Sequence, residues 1–225
     1  VVKDEELIND LESKVVKNPR FVFAQELKEA IADAYKRLIF PSIQTECFTT
    51  KVLEAETESI KVFSTNLKNL LLFSPVGQKE ILGLDPGFRT GCKVAAIDDL
   101  GNYQGKATIF PTEPFNKIKE ATEIVLKLIK DYKVKLVAIG NGTASKETMQ
   151  FIKKMFKDHK LDVIPVIVNE AGASVYSASE IAQKEFPNLD LTVRGAISIA
   201  RRLQDPLAEL VKIDPKAIGV GQYQH

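Results

Sequence analysis

The feature that most constrains this chain is a change of apolar period at residues 74–77, Ser-Pro-Val-Gly. Before this break, apolar residues recur every three or four positions, which is the period of an amphipathic helix. After it, short apolar runs with strand spacing begin, and Pro and Gly mark the transition. We therefore predict a helical segment over residues 1–77 and a sheet-containing domain over residues 78–213.

Two long helices are predicted in the first segment, over residues 21–40 and 54–72. Pro41 should end the first of them, because the residue before a proline disfavours helical backbone angles. The exposed face of such a segment has two readings, a docking surface for another protein or the uncovered half of an interdomain core. The sequence leaves both open.

Five strands are predicted after the break. Three come first, over residues 81–84, 92–97 and 103–110, and a turn at 98–102 suits an antiparallel meander. Strands at 136–139 and 163–168 then alternate with helices, which are predicted over residues 115–132, 145–156, 175–185 and 193–211. The order predicts an α/β fold, a mixed five-stranded sheet with flanking helices, preceded by the α-helical segment.

The overall charge and the cysteines narrow the function classes. The net charge of +1 gives no global basic field, so a nucleic acid would have to be held by local basic patches. Cys47 and Cys92 form neither a metal-ligand spacing nor a disulfide framework, which favours a reducing cytoplasm. No apolar run reaches the length of a membrane helix, so we expect no membrane partner.

Polar residues follow three of the predicted strands. Asp85 ends the first, Asn141 and Thr143 follow the fourth, and Glu170 follows the fifth. Because ligands gather beyond the carboxyl ends of strands in such sheets, we expect these residues on one rim, together with Asp205. Converging carboxylates repel unless a cation lies among them, and Mg²⁺ or Mn²⁺ accepts such oxygens. Asp85, Glu170 and Asp205 are therefore the predicted catalytic and metal-binding group.

Two of these acids also have a purely structural reading. Asp85 precedes Pro86-Gly87, as a turn residue would, and Asp205 precedes Pro206, as a helix N-cap would. The sequence alone does not separate these roles.

Basic residues near the predicted rim are candidates for phosphate contact. We predict that nucleic acid is bound by Arg89, Lys93, Arg201 and Arg202, with Asn141 and Thr143 as neutral donors. The alternative is that the arginines are paired with acids. In particular, Arg201 lies four residues before Asp205, the spacing of an ion pair on a helix.

A resemblance to a known family rests on four long sequence motifs: LDPGFRTGCK at 84–93, AIGNGTAS at 138–145, VNEAGASVYSAS at 168–179 and RGAISIARRLQDPLAEL at 194–210. They closely resemble the Tex family of bacterial transcription accessory proteins, over about residues 30–225. The resemblance implies a YqgF-type, RNase H-like and RuvC-resolvase-like domain over 78–213, preceded by part of a central helical region. Residues 214–225 would then be a linker toward helix-hairpin-helix modules, and the chain a piece of a longer protein.

The resemblance also implies a function. Tex-like proteins act in transcription and bind nucleic acid, so the expected partners are RNA or DNA, the transcription machinery and the other domains of the parent protein. By position, Asp85, Glu170 and Asp205 match the three acids of the YqgF pattern. Asn141 stands where resolvase-like nucleases present a further acid, and it brings no charge to a metal.

The leading expectation is thus a cytoplasmic nucleic-acid-binding domain that requires no cofactor, with an inactive acidic site where Mg²⁺ or Mn²⁺ can bind. The alternative is a Mg²⁺- or Mn²⁺-dependent nuclease or resolvase that hydrolyses phosphodiesters. An actin-like or sugar-kinase-like ATPase also begins with a strand and Asp-x-Gly. Such an ATPase needs a second Asp-Gly half, and no such signature follows Glu170.

Overall fold

The computed structural model describes residues 3–219, which divide into two compact units between Lys61 and Val62. The first unit contains helix α1 (Asp4–Val15), helix α2 (Ala24–Ala34), a π-helical turn (Tyr35–Ile39) and the beginning of helix α3 (Phe40–Leu71). Tyr35 is buried in it and donates a hydrogen bond to Oδ1 of Asp4 at 3.0 Å. Lys28 of α2 pairs with Glu12 of α1 at 3.3 Å.

The helical segment contains one correction. Pro41 does not end a helix, and the helix predicted from residue 54 begins at Phe40. Pro41 directly follows the π-helical turn, where the backbone already departs from regular α-helical hydrogen bonding, and the missing N–H of the proline is tolerated there. The preceding π turn, in which the amide of Phe40 donates to the carbonyl of Tyr35, joins α2 to α3 without a break.

The second unit contains the sheet. Its elements are β1 (Ile81–Asp85), β2 (Cys92–Ile97), β3 (Tyr103–Ile109), α4 (Ile118–Asp131), β4 (Leu136–Gly140), α5 (Ser145–His159), β5 (Ile164–Val168), α6 (Ala173–Ala178), α7 (Glu180–Glu185), α8 (Leu191–Gln204), α9 (Pro206–Leu210) and a 3₁₀ turn (Pro215–Ile218). All five predicted strands are present. The predicted helix over 175–185 is divided into α6 and α7, and that over 193–211 into α8 and α9.

The strand order is β3-β2-β1-β4-β5. The first three strands pair antiparallel, whereas β1, β4 and β5 run parallel. This confirms the mixed five-stranded sheet of an RNase H-like fold. Because β1, β4 and β5 are parallel, the residues that follow their carboxyl ends meet at one edge of the sheet.

Helices cover both faces of the sheet, which explains why its central strands are almost continuously apolar. Leu82 and Leu84 face the core formed with α4 and α5, whereas Ile81 faces the core formed with α8. Gly83 also faces α8, and a Cβ there would overlap the backbone of Ala196. The missing side chain therefore lets α8 lie directly on β1.

The compact unit that holds the sheet extends beyond the predicted limits of 78–213. Leu67, Leu70 and Leu71 of α3 are partly buried and pack against the apolar cluster that contains Tyr176. Within the predicted linker over 214–225, Ile218 is only 1% exposed and belongs to the same cluster. Residues 220–225 of that linker lie outside the described residues. None of the helices within residues 3–219 is long and apolar enough to cross a bilayer.

Candidate functional site

Asp85 and Glu170 come together at the carboxyl edge of the sheet. Asp85 is the last residue of β1, and Glu170 follows β5. The pKa of Asp85 is raised to about 6, first by burial and then by the negative charge of Glu170, while the positive charge of Lys93 opposes both effects. Lys93 stands opposite Asp85 in the register of β1 and β2. The two carboxylates therefore form an electrostatically coupled pair, as predicted from the strand ends.

Three glycines make room for this pair. A Cβ on Gly140 or Gly142 would overlap the carboxylate of Glu170, and one on Gly195 would lie 3.2 Å from Oδ2 of Asp85. Gly140 and Gly142 surround Asn141, and Gly195 belongs to α8. Sequence reasoning did not assign these glycines to the site. The Gly-Asn-Gly and Arg-Gly-Ala motifs could have drawn attention to these glycines. Only the packing shows for which side chain each glycine leaves room.

Glu170 is fixed through its backbone while part of its carboxylate lacks a partner. Its amide donates to Oδ1 of Asn141 at 3.1 Å. Its Oε2 is buried and accepts no hydrogen bond from any residue within 3–219. Asn141 thus contributes to the site by orienting the loop that carries the acid. An unpartnered buried carboxylate oxygen is costly, and a cation or donor that reached it would relieve that cost.

Arg202 fixes the loop that carries Glu170 from the interior of the domain. Its Nη1 donates to the carbonyl oxygens of Asn169 and Ala171, at 2.8 Å and 2.7 Å, on either side of Glu170. The side chain is 3% exposed, and burial lowers the pKa of its guanidinium to about 10, while the charges of Glu209 and Glu170 oppose this shift. The predicted phosphate contact by Arg202 is therefore wrong, because its guanidinium is enclosed in the domain.

Arg201 is also engaged within the domain. Its Nη1 pairs with Glu185 at 2.8 Å, its Nε donates to the carbonyl of Gly101 at 2.8 Å, and its guanidinium lies 4.9 Å from the centre of the Phe186 ring. The predicted ion pair with Asp205 is wrong, since Glu185 occupies that position. The guanidinium that we predicted to contact phosphate thus has three other partners.

Asp205 is a helix cap and lies away from the acidic pair. Its Oδ1 accepts from the amide of Ala208 at 3.0 Å, and Pro206 opens α9. Within α8, Gly195 lies beside Asp85, whereas Nε2 of Gln204, the last residue of the helix, donates to the carbonyls of Lys79 and Asp98 at the other end of β1. Ten helical residues span about 15 Å. The predicted convergence of Asp205 with the other two acids is therefore wrong.

The predicted three-acid metal site is not formed. Among residues 3–219, no group of three or more His, Cys, Asp or Glu side chains is arranged to hold a metal ion. Asp85 and Glu170 nevertheless offer hard oxygen ligands, and Oε2 of Glu170 is unpartnered. Two carboxylates are a ligand set that would suit one Mg²⁺ or Mn²⁺ with most of its water ligands retained. They do not fit the several-acid cage of a two-metal nuclease.

The remaining predicted residues lie at the sheet edge. Arg89, Asn141 and Thr143 are exposed there. Lys93 is half-buried, and its Nζ donates to the carbonyl of Thr90, so it is directed along its own loop. Arg89 and Thr143 can be reached by a large ligand at the edge, whereas Oδ1 of Asn141 already accepts from the amide of Glu170 and Lys93 mainly offsets the charge of Asp85.

The family model and a named relative agree on one family, Tex. The family described as "Tex protein YqgF-like domain" matches residues 79–204. The chain is 54% identical over 215 residues to "Uncharacterized protein YdcI" of Bacillus subtilis (strain 168), covering 96% of this chain and 30% of that protein. It is 48% identical over 200 residues to "Transcriptional accessory protein Tex" of Neisseria gonorrhoeae, covering 88% of this chain and 26% of that protein.

The chain thus spans less than a third of the length of these relatives. Among solved structures, a T. thermophilus RuvC in complex with a Holliday junction substrate superposes with a TM-score of 0.40 and 13% identity, covering 64% of this chain and 98% of that chain. A likeness at this level assigns no function.

Proposed function

The chain belongs to the Tex protein YqgF-like domain family, and from this we propose that it is a nucleic-acid-binding domain of a transcription accessory protein whose acidic site does not cleave. The observation that carries the second part is the pairing of two carboxylates, Asp85 and Glu170, with the neutral Asn141 beside them. Hydrolysis by two metal ions needs more negative ligands than this pair supplies. Asp205, which would have been a third, is a helix cap.

The proposed partners are supported by the family and by the exposed residues at the carboxyl edge of the sheet. A relative of this chain is named a transcriptional accessory protein, which supports RNA or DNA as the ligand and the transcription machinery as the setting. Arg89 and Thr143 present a cation and a hydroxyl at the edge, and groups of this kind contact phosphates without reading sequence. A cytoplasmic location, supported by the free thiols of Cys47 and Cys92, belongs to the same proposal.

No cofactor is required for this role, although Mg²⁺ or Mn²⁺ would be held by Asp85 and Glu170. A bound cation would supply positive charge for a phosphate oxygen at the edge. The chain's own residues orient this arrangement: Arg202 and Asn141 fix the loop of Glu170, and Lys93 offsets part of the charge on Asp85.

Binding is tested by fluorescence anisotropy with labelled duplex DNA, single-stranded DNA and single-stranded RNA over a series of salt concentrations. We expect binding that weakens with salt, and Arg89→Gln should lower the salt slope by about one. Arg20→Gln, which removes an exposed arginine of the helical unit, is the matched control. Absence of binding to every probe at low salt would overturn the proposal.

One observation favours the second candidate, a metal-dependent nuclease: Oε2 of Glu170 is buried without a partner, as a metal ligand would be before its ion binds. The two candidates are separated by incubation of branched DNA and of RNA with the chain in Mn²⁺. We expect no cleavage. Cleavage by the wild type that disappears in Asp85→Asn would establish the nuclease instead, because a contaminating enzyme would be unaffected by the substitution.

A further inference from the structure

Helix α5 carries a polar stripe with three lysines and one neutral glutamine. Lys146, Gln150, Lys153 and Lys157 follow one another at intervals of four, three and four residues. At 3.6 residues per turn, these positions fall within about 60° of arc and extend over about 17 Å. All four side chains are exposed. Within the described part of the chain, the three lysines form no ion pair.

The stripe is purely polar because the apolar side of α5 is used elsewhere. Ile152 and Phe156 are enclosed in the core of the domain, and Phe151 packs against it. The acidic residues of the helix, Glu147 and Asp158, lie about a quarter turn from the stripe. The partly buried Met149 borders the stripe on the side of the core, and no negative charge lies within the stripe.

The stripe is also continuous with the candidate site. Helix α5 begins at Ser145, directly after the loop that presents Asn141 and Thr143 at the carboxyl edge of the sheet. The first lysine, Lys146, lies in the first turn, and the others lead away along the helix. A ligand that enters at the edge would meet the lysines in succession.

We propose that this stripe binds the phosphate backbone of a nucleic-acid duplex, a surface that rests on the proposed nucleic-acid function and gives it a location. About 17 Å corresponds to about five base pairs of duplex, along which phosphates recur closely enough to meet each lysine. Lysine is a compact point charge with a flexible stem, suited to contacts that follow a backbone without reading bases.

Two other anionic partners fit the stripe less well. A single strand is normally held by aromatic side chains on which bases stack, and the two aromatic residues of α5 are turned to the core. An anionic lipid surface is bound by helices that insert an exposed apolar face, and that face of α5 is covered by the domain. A duplex, whose bases are stacked inside, requires only the charges that the stripe provides.

The test replaces Lys146, Lys153 and Lys157 together by Gln in the whole chain. The matched control replaces Lys119, Lys127 and Lys130 of α4, which are equally exposed but have Glu123 among them. With labelled duplex DNA, we expect the stripe variant to lower the slope of log K against log [salt] by about two to three and the control by less than about one. Circular dichroism verifies that both variants are folded.

The outcomes separate this inference from the proposed function. If the wild type binds no duplex DNA, duplex RNA or single strand, both are overturned. If the wild type binds a duplex and the stripe variant matches the control, only the stripe is overturned. Loss that is confined to single strands, or to vesicles of anionic phospholipid, would assign the stripe to a different partner and would likewise overturn it.

Discussion

Arg202 of α8 brackets Glu170 by donating to the carbonyl oxygens of the residues on either side of it. The arginine is almost completely buried, while the acid it supports reaches the carboxyl edge of the sheet beside Asp85. A basic residue that the sequence suggested for phosphate binding thus acts on the site from inside the domain. Its role is to set the position of the loop between β5 and α6.

Replacing Arg202 by Met should therefore destabilise the domain. The change leaves two carbonyl oxygens without a donor, and we expect the free energy of unfolding to fall by about 2–4 kcal/mol. Urea denaturation measures this loss. Arg89→Met, at an exposed position, is the control and should change the free energy by less than about 0.5 kcal/mol. Equal effects of the two substitutions would contradict the structural role of Arg202.

Replacing Glu170 by Gln should lower the pKa of Asp85. The negative charge of Glu170 disfavours ionisation of its neighbour, so its removal shifts the pKa of Asp85 from about 6 toward the usual value of 3.8. Burial remains, and the pKa should stay above that value. Titration of the Asp85 carboxyl carbon by NMR measures the change. An unaltered pKa would mean that the two carboxylates are not coupled.

Asp85 should also make stability depend on pH. Its pKa is raised in the folded state, so the folded chain retains a proton that the unfolded chain loses first, and stability falls as pH rises from about 4 through 6. Asp85→Asn removes this effect. We expect the variant to be more stable than the wild type by up to about 3 kcal/mol at pH 7.5, the equivalent of a shift of about two pKa units, and similar to it at pH 3.5. Urea titrations at the two pH values decide, and a variant that is less stable at pH 7.5 would exclude the mechanism.

Asp205 should matter for stability alone. Asp205→Ala removes the cap of α9 and should cost about 1 kcal/mol in thermal or urea unfolding, whereas Asp205→Asn, which keeps a capping oxygen, should cost less. Neither substitution should change affinity for duplex DNA or the response to Mn²⁺. If Mn²⁺ raised the melting temperature of both variants less than that of the wild type, Asp205 would take part in metal binding with Asp85 and Glu170.

Mn²⁺ itself should stabilise the wild type through the acidic pair. A ligand that binds only the folded state raises its stability, and we expect a higher melting temperature in millimolar Mn²⁺. The increase should disappear in Glu170→Gln, which removes one of the two carboxylates. Asp158→Asn, at an exposed acid on α5, is the control and should retain it. The same increase in both variants would place the ion elsewhere.

Sequence patterns were enough to predict the order of the five strands and the position of two acids at one edge of the sheet. The strands could be recognised because each is a short run of mainly apolar residues. Since β1, β4 and β5 run parallel, their carboxyl ends lie at one edge of the sheet, and this is why Asp85, Asn141 and Glu170 were predicted to lie together. The role of Asp205 as a helix cap could also be predicted from the Asp-Pro sequence, because a cap is a local interaction. The prediction that Pro41 ends a helix was wrong, because a π-helical turn directly before it lets the helix continue through the proline.

The roles of the charged residues of α8 became visible only once the packing of the helix on the sheet was known. Arg201 and Arg202 are neighbours in the chain but point about 100° apart on the helix, and the packing of α8 turns Arg202 into the domain and Arg201 toward Glu185. The same packing sets Gly195 beside Asp85 and leaves Asp205 about 15 Å along the axis. The rotation and position of a helix on a sheet depend on side chains from distant parts of the chain, and no local pattern contains them.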